Sequence, residues 1–318
     1  MSNKSSASPA KLRNNRRFLI GISILVLIIA LIGFFYVVPN LPGQTREISW
    51  SIDDAAILSF SNRILAAPQS NVIEDTVDYS LEKISYDSYD TRVYGLLRIP
   101  KHVGKPPVVI VLPAATVTKE EDSPMASALL SWGYASLTLD ERGNGGETGG
   151  ISPMDINAGY HSYRKGEMPA QYVQIYDVLL AYDYLRSRNN LDSSNISVLG
   201  ESMGGRFAII AAGIEPGVKS AFVISSGPYD IDAGNDRDAQ RFVASIEPDT
   251  YLRGLPPRKL VMFHFTNDPI IPIASGKSLF DNAGQPKAWY EYNGTVHGIY
   301  SDIYASDLHD ELKNVFAR

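Results

Sequence analysis

The stretch Leu199-Gly200-Glu201-Ser202-Met203-Gly204-Gly205 limits what this chain can fold into more than any other. It follows a β-branched run, Asn195 to Leu199, and precedes a helix-forming one, Arg206 to Ala212. A Gly-x-Ser-x-Gly pattern in that setting predicts a sharp strand-to-helix turn. Such a turn strains the backbone at the serine and leaves no room for side chains at Gly200 and Gly204. It lifts the Ser202 hydroxyl clear of the strand's C-terminal end. There it stands above a helix N-terminus, whose partial positive charge favours a developing anion.

From about residue 72 the chain alternates strand and helix signals. Glu82 to Asp87 and Thr91 to Ile99 read as two strands joined by a tight turn. Pro107 to Leu112 is a continuous apolar run, as a strand buried on both faces requires. Pro169 to Arg188 has helical apolar spacing at Val173, Tyr176, Leu179, Leu180 and Tyr184. Further strands are expected at 134–139, 220–224, 259–265 and 288–292, with helices at 123–131, 273–282 and 301–317. This order predicts an α/β fold: a mostly parallel sheet with helices on both faces.

A serine hydroxyl is a weak nucleophile at neutral pH and needs a base, which in turn needs an acid to orient it. Of the five histidines, His297 lies just past the last expected strand, on a glycine-bounded loop. His264 is inside an apolar strand, His309 on the terminal helix and His102 in a surface turn, all structural positions. His161, in a stretch without clear periodicity, is the rival base. For the acid, Asp268 follows the strand at 259–265, again at a strand's C-terminal end, where ligands bind in open parallel sheets. Asp302 is its rival. The order Ser202, Asp268, His297 makes these three the expected catalytic triad.

On these residues the region from 72 to the end resembles the α/β-hydrolases. It is most similar to the branch containing dienelactone hydrolases, acetyl xylan esterases and the catalytic domains of the prolyl oligopeptidase family. The resemblance is carried by Gly200 to Gly205, Asn267-Asp268-Pro269-Ile270-Ile271-Pro272, Val296-His297-Gly298, and the loop Asp140-Glu141-Arg142-Gly143-Asn144-Gly145-Gly146. It implies an eight-stranded sheet whose second strand is antiparallel. It also implies an oxyanion hole of two backbone N–H groups, one of them from Met203. The second would come from the loop after the 107–112 strand, where relatives usually carry His-Gly and this chain has Pro113-Ala114; by position Ala115 is the donor.

The absence of cysteine excludes disulfides, thiolate zinc sites and a cysteine nucleophile. A net charge of −6 argues against nucleic acid as a partner. The glycine run 143–150 lacks the Gly-Lys-Ser/Thr ending of a phosphate loop and reads as a mobile loop beside the pocket. Asp230, Asp232, Asp236 and Asp238 lack the closing glutamate of a calcium loop, and residues 226–258 read as a short cap. No cofactor or metal is expected.

The first 17 residues carry Lys4, Lys11, Arg13, Arg16 and Arg17 and no acid, and Phe18 to Val38 then runs 21 residues without a charge. As a helix that run would span about 31 Å, close to the hydrocarbon thickness of a bilayer. It reads as an uncleaved anchor at 18–38, with the basic tail 1–17 cytoplasmic and the catalytic domain beyond the membrane. Residues 39–71 read as a linker with a juxtamembrane helix starting at 51–54, and 72–318 as the catalytic domain. The expected protein is a membrane-anchored serine hydrolase cleaving a small-molecule carboxylic ester. Peptide cleavage and a catalytically silent binding module are the alternatives. The oligomeric state is not readable from the sequence.

Overall fold

The computed structural model describes residues 48–317. The basic tail, the apolar run 18–38 and the linker up to residue 47 lie outside the described residues. Among the described residues no helix is long and apolar enough to cross a membrane.

The described residues form eleven strands: β1 (Trp50–Ile52), β2 (Leu58–Phe60), β3 (Ala66–Asp75), β4 (Tyr79–Asp87), β5 (Arg92–Pro100), β6 (Val108–Leu112), β7 (Ala135–Leu139), β8 (Ile196–Glu201), β9 (Ser220–Ile224), β10 (Lys259–Phe265) and β11 (Lys287–Tyr292). The helices are α1 (Ser123–Ser131), α2 (Ile156–Arg164), α3 (Ala170–Arg186), α4 (Met203–Ile214), α5 (Arg237–Ile246), α6 (Ile273–Asn282) and α7 (Asp302–Phe316). The main sheet has nine strands in the order β11-β10-β9-β8-β6-β7-β5-β4-β3. The block from β11 to β7 is parallel, and β5, β4 and β3 each run antiparallel to their neighbours.

The sheet is buried on both faces because β6 splits its side chains between two cores. Val108, Ile110 and Leu112 join one core with residues of α3, α4 and α6. Val109 and Val111 join the other with Met125 and Leu129 of α1 and Tyr304, Leu308 and Leu312 of α7. This is the period-two alternation of a strand applied to a sheet with helices on either side.

Two sequence expectations give way. The sheet has nine strands, not eight, because residues 66–75 form the edge strand β3. Its side chains are almost all exposed, so no apolar pattern marks it, and only the backbone ladder to β4 makes it a strand. The helix expected from residue 51 is instead the β1–β2 hairpin. There Asp53 does not cap a helix: its carboxylate accepts the N–H groups of Ala55 and Ile57, at 2.9 and 2.8 Å, closing a turn. Trp50 then packs edge-on against Tyr172 and Leu58 is fully buried, which holds the hairpin to the domain.

One buried ion pair ties the loop after β7 to α3. Arg142 Nε lies 2.6 Å from Asp177 Oδ2, with both side chains almost fully enclosed, and the Arg142 amide donates to Gln174 Oε1 at 3.0 Å. Burial raises the Asp177 carboxyl, and the guanidinium opposes that shift. Arg142→Met would strand a carboxylate in the interior, and urea unfolding should register a loss of about 3–5 kcal/mol.

Candidate active site

The parallel block brings the loops that follow β6, β8, β9, β10 and β11 to one end of the sheet. At the centre, β8 pairs with β6 and β9 (Leu112 opposite Gly200, Glu201 opposite Ile224), so Ser202 emerges between them. Its backbone sits at φ 51° and ψ −111°, a conformation that costs an L-residue energy and is kept only where neighbours enforce it. They do so here: the Ser202 amide donates to Ile224 O at 2.8 Å, and Ser226 Oγ donates to Ser202 O at 2.7 Å. A Cβ on Gly200 would lie 2.5 Å from the Gly205 amide nitrogen, and one on Gly204 would lie 2.7 Å from Pro113 O. Serine is a favoured N-cap, yet the Ser202 side chain makes no capping bond to α4. The hydroxyl points to a histidine instead.

His297 Nε2 lies 2.8 Å from Ser202 Oγ, and His297 Nδ1 lies 2.8 and 2.9 Å from the two Asp268 oxygens. A carboxylate only accepts, so Nδ1 carries a proton and Nε2 of the neutral ring is left to accept from the serine. Asp268 Oδ1 also accepts from the amides of Ile270 and Ile271, at 2.9 and 3.0 Å. Burial alone would raise this carboxyl; the bonds from His297 and the two amides outweigh it and hold Asp268 below its ordinary value. Gly298 adopts φ 51°, and a Cβ there would come within 3.0 Å of Ser202 Cβ, so the chain turns away directly after the histidine.

The rival residues stand elsewhere. His161 is exposed on α2, a helix formed where the sequence suggested irregular chain. Asp302 is exposed at the start of α7, where it accepts a bond from Tyr300. His309 stacks on Trp132, and His102 pairs with Asp78 at the surface. Asp236 caps α5 through the amides of Asp238 and Ala239, and Asp232 accepts from the Gly234 amide.

The Met203 amide opens α4, so it has no acceptor within the helix. Ala115 lies in the loop after β6, and that loop is stapled by a residue the sequence did not single out. Asn144 Nδ2 donates to Ala114 O and Val117 O, at 3.0 and 2.9 Å, and its Oδ1 accepts from the Thr116 amide at 2.9 Å. These bonds bracket Ala115 on both sides and set the direction of its amide. The glycine run around Asn144 is tied to its surroundings by hydrogen bonds at Asn144, Glu147 and Thr148. Thr148 Oγ1 accepts from the Tyr94 amide, and the Glu147 amide donates to the buried Asp140 carboxylate.

Asp122, just before α1, and Glu201, just before the serine, are buried carboxyls with no cation partner among the described residues. Burial pushes Asp122 up to about 7, and burial together with the Asp122 charge pushes Glu201 well above the carboxylate range. A raised folded-state pKa means that the unfolded chain releases its protons first. The stabilising contribution of each protonated carboxyl is complete at acid pH and is lost as pH rises through its raised folded-state pKa, about 7 for Asp122. Glu201→Gln, which needs no proton, should flatten that loss: melting temperatures of variant and parent should agree more closely at pH 5 than at pH 9, with the variant higher at pH 9.

A family model described as acetyl xylan esterase (AXE1) matches residues 74–232. Acetyl esterase Axe7A of Xylanibacter ruminicola is 31% identical over 153 residues, 45% of this chain and 34% of that protein. The 2,6-dihydropseudooxynicotine hydrolase of Paenarthrobacter nicotinovorans is 27% identical over 157 residues, 48% of this chain and 38% of that protein. The matched segment thus spans little more than a third of the length of either relative. Among solved structures, an acetyl xylan esterase from Paenibacillus sp. R4 superposes with a TM-score of 0.65 at 20% identity, over 80% of this chain and 90% of that one. That likeness establishes the α/β-hydrolase fold.

Proposed function

The chain belongs to the acetyl xylan esterase (AXE1) family, and from that premise we propose that it is a serine esterase acting on small carboxylic esters through Ser202, His297 and Asp268. The observation that carries the reading is the unbroken run of 2.8 Å contacts from the Ser202 hydroxyl through the imidazole to the carboxylate. Ser202 Oγ attacks the ester carbonyl while His297 Nε2 takes its proton. Negative charge then appears on the carbonyl oxygen, where the amides of Met203 and Ala115 are the donors; a lost donor of this kind costs about 2.7–4 kcal/mol of barrier. His297 returns the proton to the leaving alcohol, and water, deprotonated by the same nitrogen, releases the acid. Asp268 keeps the ring in the required tautomer and stabilises the imidazolium.

A fluorophosphonate probe tests this in the full-length chain. Labelling should map to Ser202 and run parallel with hydrolysis of p-nitrophenyl acetate. Probe modification at another serine, or acetate release undiminished in Ser202→Ala, would remove the basis for the reading. Residues 18–38 are, in the same proposal, a bilayer anchor with the basic tail cytoplasmic. Full-length protein should then stay with membranes after alkaline extraction, and its folded domain should be digested by protease added from the extracytoplasmic side only.

A further inference from the structure

A second histidine stands on the far side of the Asp268 carboxylate. His264, in β10, is completely buried, and its Nε2 lies 2.9 Å from Ile271 O. A carbonyl oxygen only accepts, so Nε2 carries the proton. Its Nδ1 is buried without a hydrogen-bond partner, an arrangement that suits the neutral ring. A protonated ring would bury a second donor without an acceptor, and burial accordingly lowers the His264 pKa. The ring is held by shape. It stacks on Trp289 at 5.8 Å and 15°, and α6 passes so close that a Cβ on Gly276 would lie 2.6 Å from Nδ1.

The carbonyl that His264 grips belongs to the turn that orders the acid. Ile271 presents its oxygen to His264 while its own amide, with that of Ile270, donates to Asp268 Oδ1. His264 Nε2 is also 3.7 Å from Asp268 Oδ2, beyond a hydrogen bond but near enough for its N–H dipole to favour the anion. We propose that His264 is a positioning residue for the reaction: through Ile271 it fixes the 268–271 turn, hence the Asp268 carboxylate and the orientation of His297. It touches neither substrate nor reacting atoms. The inference rests on the catalytic reading of Ser202, His297 and Asp268.

Three substitutions in the full-length chain test it. The side-chain amide of His264→Gln reaches the place of Nε2 and keeps the donor. His264→Asn is as polar but too short to reach Ile271. His264→Phe keeps the ring and the Trp289 stack without a donor. With p-nitrophenyl acetate, Asn and Phe should lower kcat roughly 10- to 100-fold with KM little changed, as a displaced catalytic group does. Gln should retain most of the parent's kcat, and fluorophosphonate labelling rates should follow the same order. Thermal unfolding separates this from packing. A side chain that only fills space is best replaced by Phe, so kcat following stability, with Phe above Gln, overturns the inference. So does equal activity in Gln and Asn, the pair least affected if Phe fails to fold. Variants at the parent's rate while Ser202→Ala is inactive would sink this inference alone; an active Ser202→Ala would sink the catalytic reading beneath it.

Discussion

Ser202→Ala should lower kcat for a soluble acyl ester roughly 10⁴- to 10⁶-fold, the scale seen when a serine nucleophile is removed, while the folded domain unfolds at nearly the parent's temperature. The two halves of that result have separate causes. Activity falls because, among the described residues, no other group is hydrogen-bonded to His297 Nε2 and so placed to attack a carbonyl. Stability holds because alanine inherits the same strained backbone, at φ 51°, and loses only a bond to an imidazole that is itself partly exposed. Such a bond is worth about 1 kcal/mol net. His297→Ala should fall in the same range. The double variant should be no worse than either single one, because groups that act as a unit are not additive. Additive losses, measured as kcat on p-nitrophenyl acetate, would mean that the two side chains do not share a step.

Gly204→Ala should be among the most damaging single-methyl changes in the described residues, costing more than about 3 kcal/mol or preventing folding altogether. The added Cβ would overlap the Leu112 carbonyl and approach Pro113 O to 2.7 Å. Both are backbone atoms at the end of β6, a strand paired on both sides, so neither can yield as a flexible side chain would. Relief would have to come from moving α4 or the loop that carries Ala115, so any folded fraction should also lose activity. Gly104→Ala is the control: nothing lies within 4 Å of that Cβ. It should be neutral or stabilising by about 0.4–1 kcal/mol, through the unfolded chain's lost freedom. Urea midpoints of the two variants measure the contrast. A Gly204→Ala protein as stable as the control would mean that the turn at Ser202 is looser than its backbone contacts imply.

What was legible in the sequence is local. The elbow could be read because Gly200, Ser202 and Gly204 meet a steric requirement within five residues, and His297 and Asp268 because each follows an apolar run at a strand's end. What only the tertiary structure decided is which distant polar groups those strand ends meet. Asn144 looks like any loop asparagine until its side chain is seen to bracket Ala115 across some thirty residues of chain. His264 reads as one polar residue in an apolar strand, because the acceptor that gives it a task, Ile271 O, lies seven residues on in a turn that folds back onto the strand. The β1–β2 hairpin reads as a helix and β3 gives no strand signal for a related reason: backbone pairing and a few long-range contacts hold them, and neither is written as a strand's alternating apolar pattern. Sterics and hydrophobic period act between near neighbours and are therefore written along the chain. Hydrogen-bond partners brought together by folding are not.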